Sequence, residues 1–160
     1  DLKPRNILLD SDGNCKISDF GLAASIIDGR KVKGRAGTEG YWSCEVINNG
    51  TYGIDADWWS YGCCVFELLT AFNPFSCKHT GLQTRNEGTR KAPIKFTKNF
   101  PASAKPLVLA LLNRDPEGRL GCMGAGVEEI LSREFGFWKG LDMKKIRKGE
   151  HSVPWVPEKG

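Results

Sequence analysis

No apolar run in the chain comes near the roughly 20 residues that a membrane-spanning helix needs, and no segment has the build of a secretory leader. The cysteines (Cys15, Cys44, Cys63, Cys64, Cys77 and Cys122) form no C-x-x-C pair. The two histidines, His79 and His151, stand alone. Neither a zinc centre nor a disulfide framework is therefore expected. Free thiols in a reducing compartment are the simpler reading, and the sequence predicts a soluble, cytoplasmic protein without a membrane span. A large charge of one sign is missing too, the net charge being +4. The densest basic run, Arg30-Lys31-Val32-Lys33-Gly34-Arg35, lacks the interleaved aromatics on which bases stack, so no nucleic-acid partner is expected. That run reads as a solvated loop, with an acidic partner as the alternative.

What is present suits one globular domain. The chain has 160 residues, 40% hydrophobic and 26% charged, with no internal repeat and no linker-like boundary. From Asn6 to Asp19 the pattern predicts a β-hairpin: Ile7-Leu8-Leu9 and Cys15-Lys16-Ile17 are β-prone, and Asp10-Ser11-Asp12-Gly13-Asn14 has turn chemistry. A calcium loop shares part of this spacing but is excluded, because Cys15 stands where its glycine belongs and Gly21 where its bidentate glutamate belongs. Residues 21–54 lack sustained periodicity and read as a long functional loop or a disordered stretch. A helix is predicted over Asp57 to Ala71, capped by Asp57 and ended by Asn73-Pro74. It is apolar almost all round, with Glu67 as its one interior charge, which predicts burial on most sides. Ser76 to Pro93 reads as a surface loop with one weak helix. Ser103 is placed as the cap of a helix running through Leu112, with Pro106 in the first turn and Leu107, Leu111 and Leu112 facing inward. A further helix is predicted over Val127 to Arg133, and the tail His151-Ser152-Val153-Pro154-Trp155-Val156-Pro157-Glu158-Lys159-Gly160 should run extended.

Six short patterns occur in a fixed order: Asp1-Leu2-Lys3-Pro4-Arg5-Asn6, Asp19-Phe20-Gly21, Gly37-Thr38-Glu39-Gly40-Tyr41, a glutamate at Glu45, Asp57-Trp58-Trp59-Ser60-Tyr61-Gly62, and Arg114-Asp115-Pro116-Glu117-Gly118-Arg119-Leu120. In that order they resemble the catalytic loop, metal motif and activation segment of the protein kinases. Residues 114–130 and 137–146 resemble the AGC group, most of all the G-protein-coupled receptor kinases. The resemblance covers nearly the whole chain and implies a serine/threonine protein kinase that uses ATP and Mg²⁺ to phosphorylate a hydroxyl of a protein substrate.

By that resemblance Asp1 is the catalytic base and Lys3 neutralises the transferring phosphate. Asn6 and Asp19 hold Mg²⁺ and the nucleotide phosphates. Thr38 contacts Asp1 and Lys3 on the substrate platform, and its presence with Lys3 points to serine/threonine rather than tyrosine. Glu45 and Arg119 form an ion pair that staples the activation segment, and Asp57 accepts backbone hydrogen bonds from the catalytic loop. Two departures stand out. Ser43-Cys44-Glu45 replaces Ala-Pro-Glu, and no serine, threonine or tyrosine lies between Ser25 and Thr38 to receive a regulatory phosphate.

The glycine-rich loop, the ATP-binding lysine and its partner glutamate have no counterparts. The expectation is therefore a kinase-like fold with only the large, C-terminal lobe: residues 1–160 as a partial kinase domain, mainly α with a small β-hairpin near its start. An N-terminal lobe is expected upstream, and the chain is expected to be inactive alone. The competing expectations are a non-catalytic docking or scaffold module, which has no need of the full Asp1, Lys3, Asn6 and Asp19 set, and a small-molecule phosphotransferase, which has no need of a peptide platform.

Overall fold

The structure, a computed structural model, describes residues 1–132 and 135–158. Near its start, strands β1 (Ile7–Leu9) and β2 (Cys15–Ile17) pair antiparallel in the register Ile7 with Ile17 and Leu9 with Cys15. The turn between them is built by Asp10, whose Oδ1 accepts the amides of Asp12 (3.0 Å) and Asn14 (2.8 Å). Gly13 closes this turn at φ +83°, and a Cβ there would collide with the Trp155 carbonyl. The extended tail thus lies against the hairpin turn.

The predicted long loop is more ordered than its composition suggests. Strand β3 (Val32–Lys33) pairs antiparallel with β4 (Thr51–Tyr52), and a one-turn helix α1 (Cys44–Ile47) sits between them in sequence. Strands of two residues carry no readable alternation, because their pairing is fixed by what flanks them.

Helix α2 (Ile54–Thr70) is the central element, with Trp59, Cys63, Cys64, Val65 and Phe66 buried. It starts three residues before the predicted Asp57. Gly53 occupies the cap position, and Asp55 Oδ1 accepts the Gly53 amide at 2.7 Å, so Asp57 is an exposed first-turn residue and not the cap. Helix α2 also stops before Asn73-Pro74, at Ala71 in the left-handed region (φ 64°). Burial is incomplete at its end, where Leu68 is exposed.

Two short helices, α3 (Cys77–Thr80) and α4 (Arg85–Lys91), replace the single weak helix expected before Pro93, and Thr84 caps α4 by accepting the Glu87 amide. Helix α5 (Lys105–Leu111) begins after a 3₁₀ turn, Ala102–Ala104, that contains Ser103; Ser103 is therefore not its cap, although Pro106 does sit in its first turn. Leu107, Leu111 and Leu112 are buried as predicted, and α5 packs across α2 at Gly62, where a Cβ would come within 2.9 Å of Leu111 and Leu112. Helix α6 (Val127–Ser132) follows, and the predicted end at Arg133 lies outside the described residues. Helix α7 (Met143–Lys148), capped by Asp142, was not foreseen. No helix among the described residues is long and apolar enough to cross a membrane.

All six cysteines are free, and no cluster of three or more His, Cys, Asp or Glu that could hold a metal occurs among the described residues. Burial pushes the Cys64 thiol up to about 12 and the Cys122 thiol up to about 11, which leaves both protonated and unreactive near neutral pH.

Candidate active site

The first residues converge on Thr38 from far along the chain. Lys3 Nζ donates to Asp1 Oδ2 at 2.6 Å and to Thr38 Oγ1 at 2.7 Å, while Thr38 Oγ1 donates to Asp1 Oδ2 at 3.1 Å. This triangle ties up one carboxylate oxygen of Asp1. The other, Oδ1, is buried and has no hydrogen-bond partner. An orphaned buried carboxylate oxygen is costly unless something else uses it, and here it faces Gly37, where a Cβ would stand 3.1 Å away. Gly37 has φ +95°, so both its backbone and its lack of a side chain leave room beside Asp1.

The hairpin joins the second pair. Asn6 is buried, and its Nδ2 donates to the Asp1 carbonyl at 2.9 Å. The Ser18 amide donates to the Asn6 carbonyl at 2.8 Å, which sets Asp19 next in the chain to a residue bonded to Asn6. Asp19 holds φ 62°, a region aspartate tolerates through local side-chain bonds, and its Oδ1 accepts the Gly21 amide at 3.4 Å. The free amide oxygen of Asn6 and the carboxylate of Asp19 are hard oxygen donors. One carboxylate, one amide oxygen, water and phosphate oxygens form a donor set that suits Mg²⁺. The site residues therefore fit a magnesium–nucleotide complex, with the protein supplying a minority of the ligands.

Asp1, Ser18, Asp19, Phe20, Thr38 and Trp42 all line one open cleft of about 590 Å³. Its floor is fixed by contacts that the sequence did not reveal. Trp42 Nε1 donates to the Ala36 carbonyl at 2.7 Å, Ser60 Oγ to the Tyr41 carbonyl at 2.9 Å, and Tyr41 OH to Glu67 Oε2 at 2.6 Å. Burial pushes the Tyr41 hydroxyl up, and the Glu67 carboxylate pushes it further, so it stays a donor. The lone charge inside an apolar helix was the visible signal for Glu67; nothing local marked Tyr41 as its partner.

Glu45 and Arg119 meet. Arg119 is fully buried and grips the carboxylate through Nη1 to Oε1 (2.6 Å) and Nη2 to Oε2 (3.1 Å). Its remaining donors reach the Asp55 carbonyl at 2.7 Å and the Asn113 carbonyl at 2.9 Å, and its plane lies 5.2 Å from the Trp59 ring. Burial pushes the Glu45 carboxyl up, but the Arg119 hydrogen bonds and charge outweigh it, leaving the group below its ordinary value. Among the described residues no hydrogen bond joins the Asp57 side chain to residues 1–6, although the amino group of Asp1 is near enough to act on its carboxylate.

Comparison with known proteins agrees with this geometry. The protein kinase domain family matches residues 1–135. G protein-coupled receptor kinase 4 of Mus musculus is 35% identical over 161 residues, covering 99% of this chain and 28% of that protein. G protein-coupled receptor kinase 2 of Drosophila melanogaster is 36% identical over 163 residues, covering 99% and 23%. The rhodopsin kinase GRK1 of Homo sapiens is 34% identical over 161 residues, covering 99% and 28%. The chain thus spans 23% to 28% of the length of these relatives. It belongs to the protein kinase domain family, in its AGC, G protein-coupled receptor kinase-like branch.

Proposed function

We propose that this chain is the C-terminal lobe of a cytoplasmic serine/threonine protein kinase, spanning residues 1–160 as a partial kinase domain, and that it is inactive without an N-terminal lobe. The observation that carries the reading is the Asp1–Lys3–Thr38 triangle, which holds one oxygen of Asp1 and leaves the other buried and unpartnered beside Gly37. That free oxygen is suited to accept the proton of a substrate serine or threonine hydroxyl. Lys3, held by Asp1 and Thr38, supplies a fixed positive charge next to the acceptor oxygen. Asn6 and Asp19 would hold Mg²⁺ and through it the phosphates. Bound magnesium–ATP supplies the transferable phosphoryl group and neutralises its charge. Thr38, Tyr41 and the ordered segment around them support a protein substrate over a small molecule. The chain's own residues thus orient the hydroxyl, remove its proton and fix the metal side, while the grip on the nucleotide is left to an N-terminal lobe.

The test joins the chain in register to the N-terminal lobe of a G protein-coupled receptor kinase. Asp1→Asn should lower turnover about 10²–10⁴-fold, the usual weight of a positioned base, with magnesium–nucleotide affinity retained. Asp19→Asn should lose both. Equal loss of nucleotide affinity in the two variants would break the assignment of roles. The unfused chain should show no phosphoryl transfer above its own Asp1→Asn variant, and clear activity there would refute the inactive-lobe reading.

A further inference from the structure

The segment that carries Thr38 has no acceptor for a phosphate between Ser25 and Thr38, yet it is ordered. Something else must fix it, and the structure offers one device. Arg35 Nε and Nη2 both donate to the carbonyl of Ile47, at 3.1 Å and 2.6 Å. Ile47 is the last residue of α1, so its carbonyl belongs to the unsatisfied, partly negative end of that helix, where a cation is favoured. On one side of Arg35 the segment is pinned by β3, with Val32 opposite Tyr52 and Lys33 opposite Thr51. On the other side stand Ala36, whose carbonyl receives Trp42 Nε1, and Gly37, which lies against Asp1 Oδ1.

We infer that Arg35 is a positioning residue that clamps the activation segment onto the end of α1 through the Ile47 carbonyl, holding Gly37 and Thr38 against Asp1 without any phosphate. The clamp is a property of this chain's fold, and its consequence for the site rests on the kinase reading above. A phosphorylated segment is fixed by a new anion meeting an existing arginine. Here the arginine comes from the segment itself and its acceptor is a backbone carbonyl, which cannot be added or removed by a modifying enzyme. The clamp therefore forms without any modification of the segment.

Hydrogen–deuterium exchange on the 160-residue chain tests this, comparing the native protein with Arg35→Met and Arg35→Lys. The methionine variant keeps the aliphatic length and removes both donors; the lysine variant keeps the charge but offers a point donor in place of a fork. Amides of residues 32–42 should exchange at least about tenfold faster in Arg35→Met, since both charged donors to the Ile47 carbonyl are lost. Arg35→Lys should fall between the two, and amides of α2 should be unchanged in both. Unchanged exchange over 32–42 in Arg35→Met overturns the clamp, as does a loosening that extends equally into α2 or a lysine variant no slower than the methionine one. No nucleotide or substrate enters the measurement, so its failure leaves the kinase reading to its own test.

Discussion

At the scale of single residues, charge placement dominates, and the Glu45–Arg119 pair is where the sign of each effect can be worked out. Arg119 is wholly enclosed, and four of its five donors are taken by Glu45, the Asp55 carbonyl and the Asn113 carbonyl. Removing one partner strands a charge at a cost of about 3–5 kcal/mol, whereas removing both forfeits much less. Glu45→Gln and Arg119→Met should therefore each destabilise the protein strongly, and the double variant should be more stable than the two losses added. Denaturant melts of the four proteins measure the coupling; strictly additive losses would contradict the buried grip. The pair also has a pH signature. Because the Glu45 carboxyl lies below its ordinary value of 4.5 in the folded state, its contribution is fully present above about that pH and is lost as pH falls through the lower, folded value. The stability gap between the native protein and the double variant should accordingly narrow in acid.

At the scale of elements, the sequence was most readable where one residue type forces one geometry. The β1–β2 hairpin was legible because its turn residues bond their own backbone, and the buried face of α5 because Leu107, Leu111 and Leu112 recur at helical spacing. Thr38 and Glu45 were legible only through their order among other patterns, since the contacts that give them meaning span 37 and 74 residues. The β3–β4 pair and α1 escaped notice because elements of two to four residues have no period, and Asp57 was misread because three aspartate and glycine candidates compete within Gly53 to Asp57 for one cap. The end of α2 shows the same limit. Asn73-Pro74 is a strong stop, but the helix breaks earlier at Ala71, which adopts φ 64° and donates its amide to the Glu67 carbonyl at 2.7 Å. A left-handed helix terminus favours glycine, which has no Cβ to crowd the following carbonyl. Ala71→Gly should thus raise stability by up to about 1 kcal/mol, the scale of the left-handed penalty, as read from the denaturation midpoint. A loss of stability would show that Ala71 gains more from its methyl group than it forfeits in backbone strain.

At the scale of the whole molecule, the apolar surface is unevenly spent. One core cluster joins Trp59, Phe66, Phe75, Phe100 and Val108, and a second joins Leu107, Leu111, Leu120 and Ile130. Both lie around α2 and α5. The hairpin that bears Asn6 and leads to Asp19 does not share in them: cross-strand register puts Leu9, Cys15 and Ile17 on one face, all exposed, and Phe20 just beyond is 69% exposed. A two-stranded sheet open on its apolar face gains little from burial and is a ready contact for other apolar surface. Under the proposed reading the natural cover for this face is the N-terminal lobe, which has to close over Asn6 and Asp19 to present a nucleotide to them. The 160-residue chain by itself should then associate with copies of itself in a concentration-dependent way. Ile17→Lys, which adds a charge on the exposed face without touching the Asp1–Lys3–Thr38 triangle, should shift it towards monomer, and joining the N-terminal lobe should do the same with the native hairpin. Sedimentation velocity over a range of concentrations distinguishes these cases. A native chain that stays monomeric throughout would mean that the hairpin face is not sticky enough to require a cover, and one that still associates after the lobe is joined would mean that the lobe does not sit there.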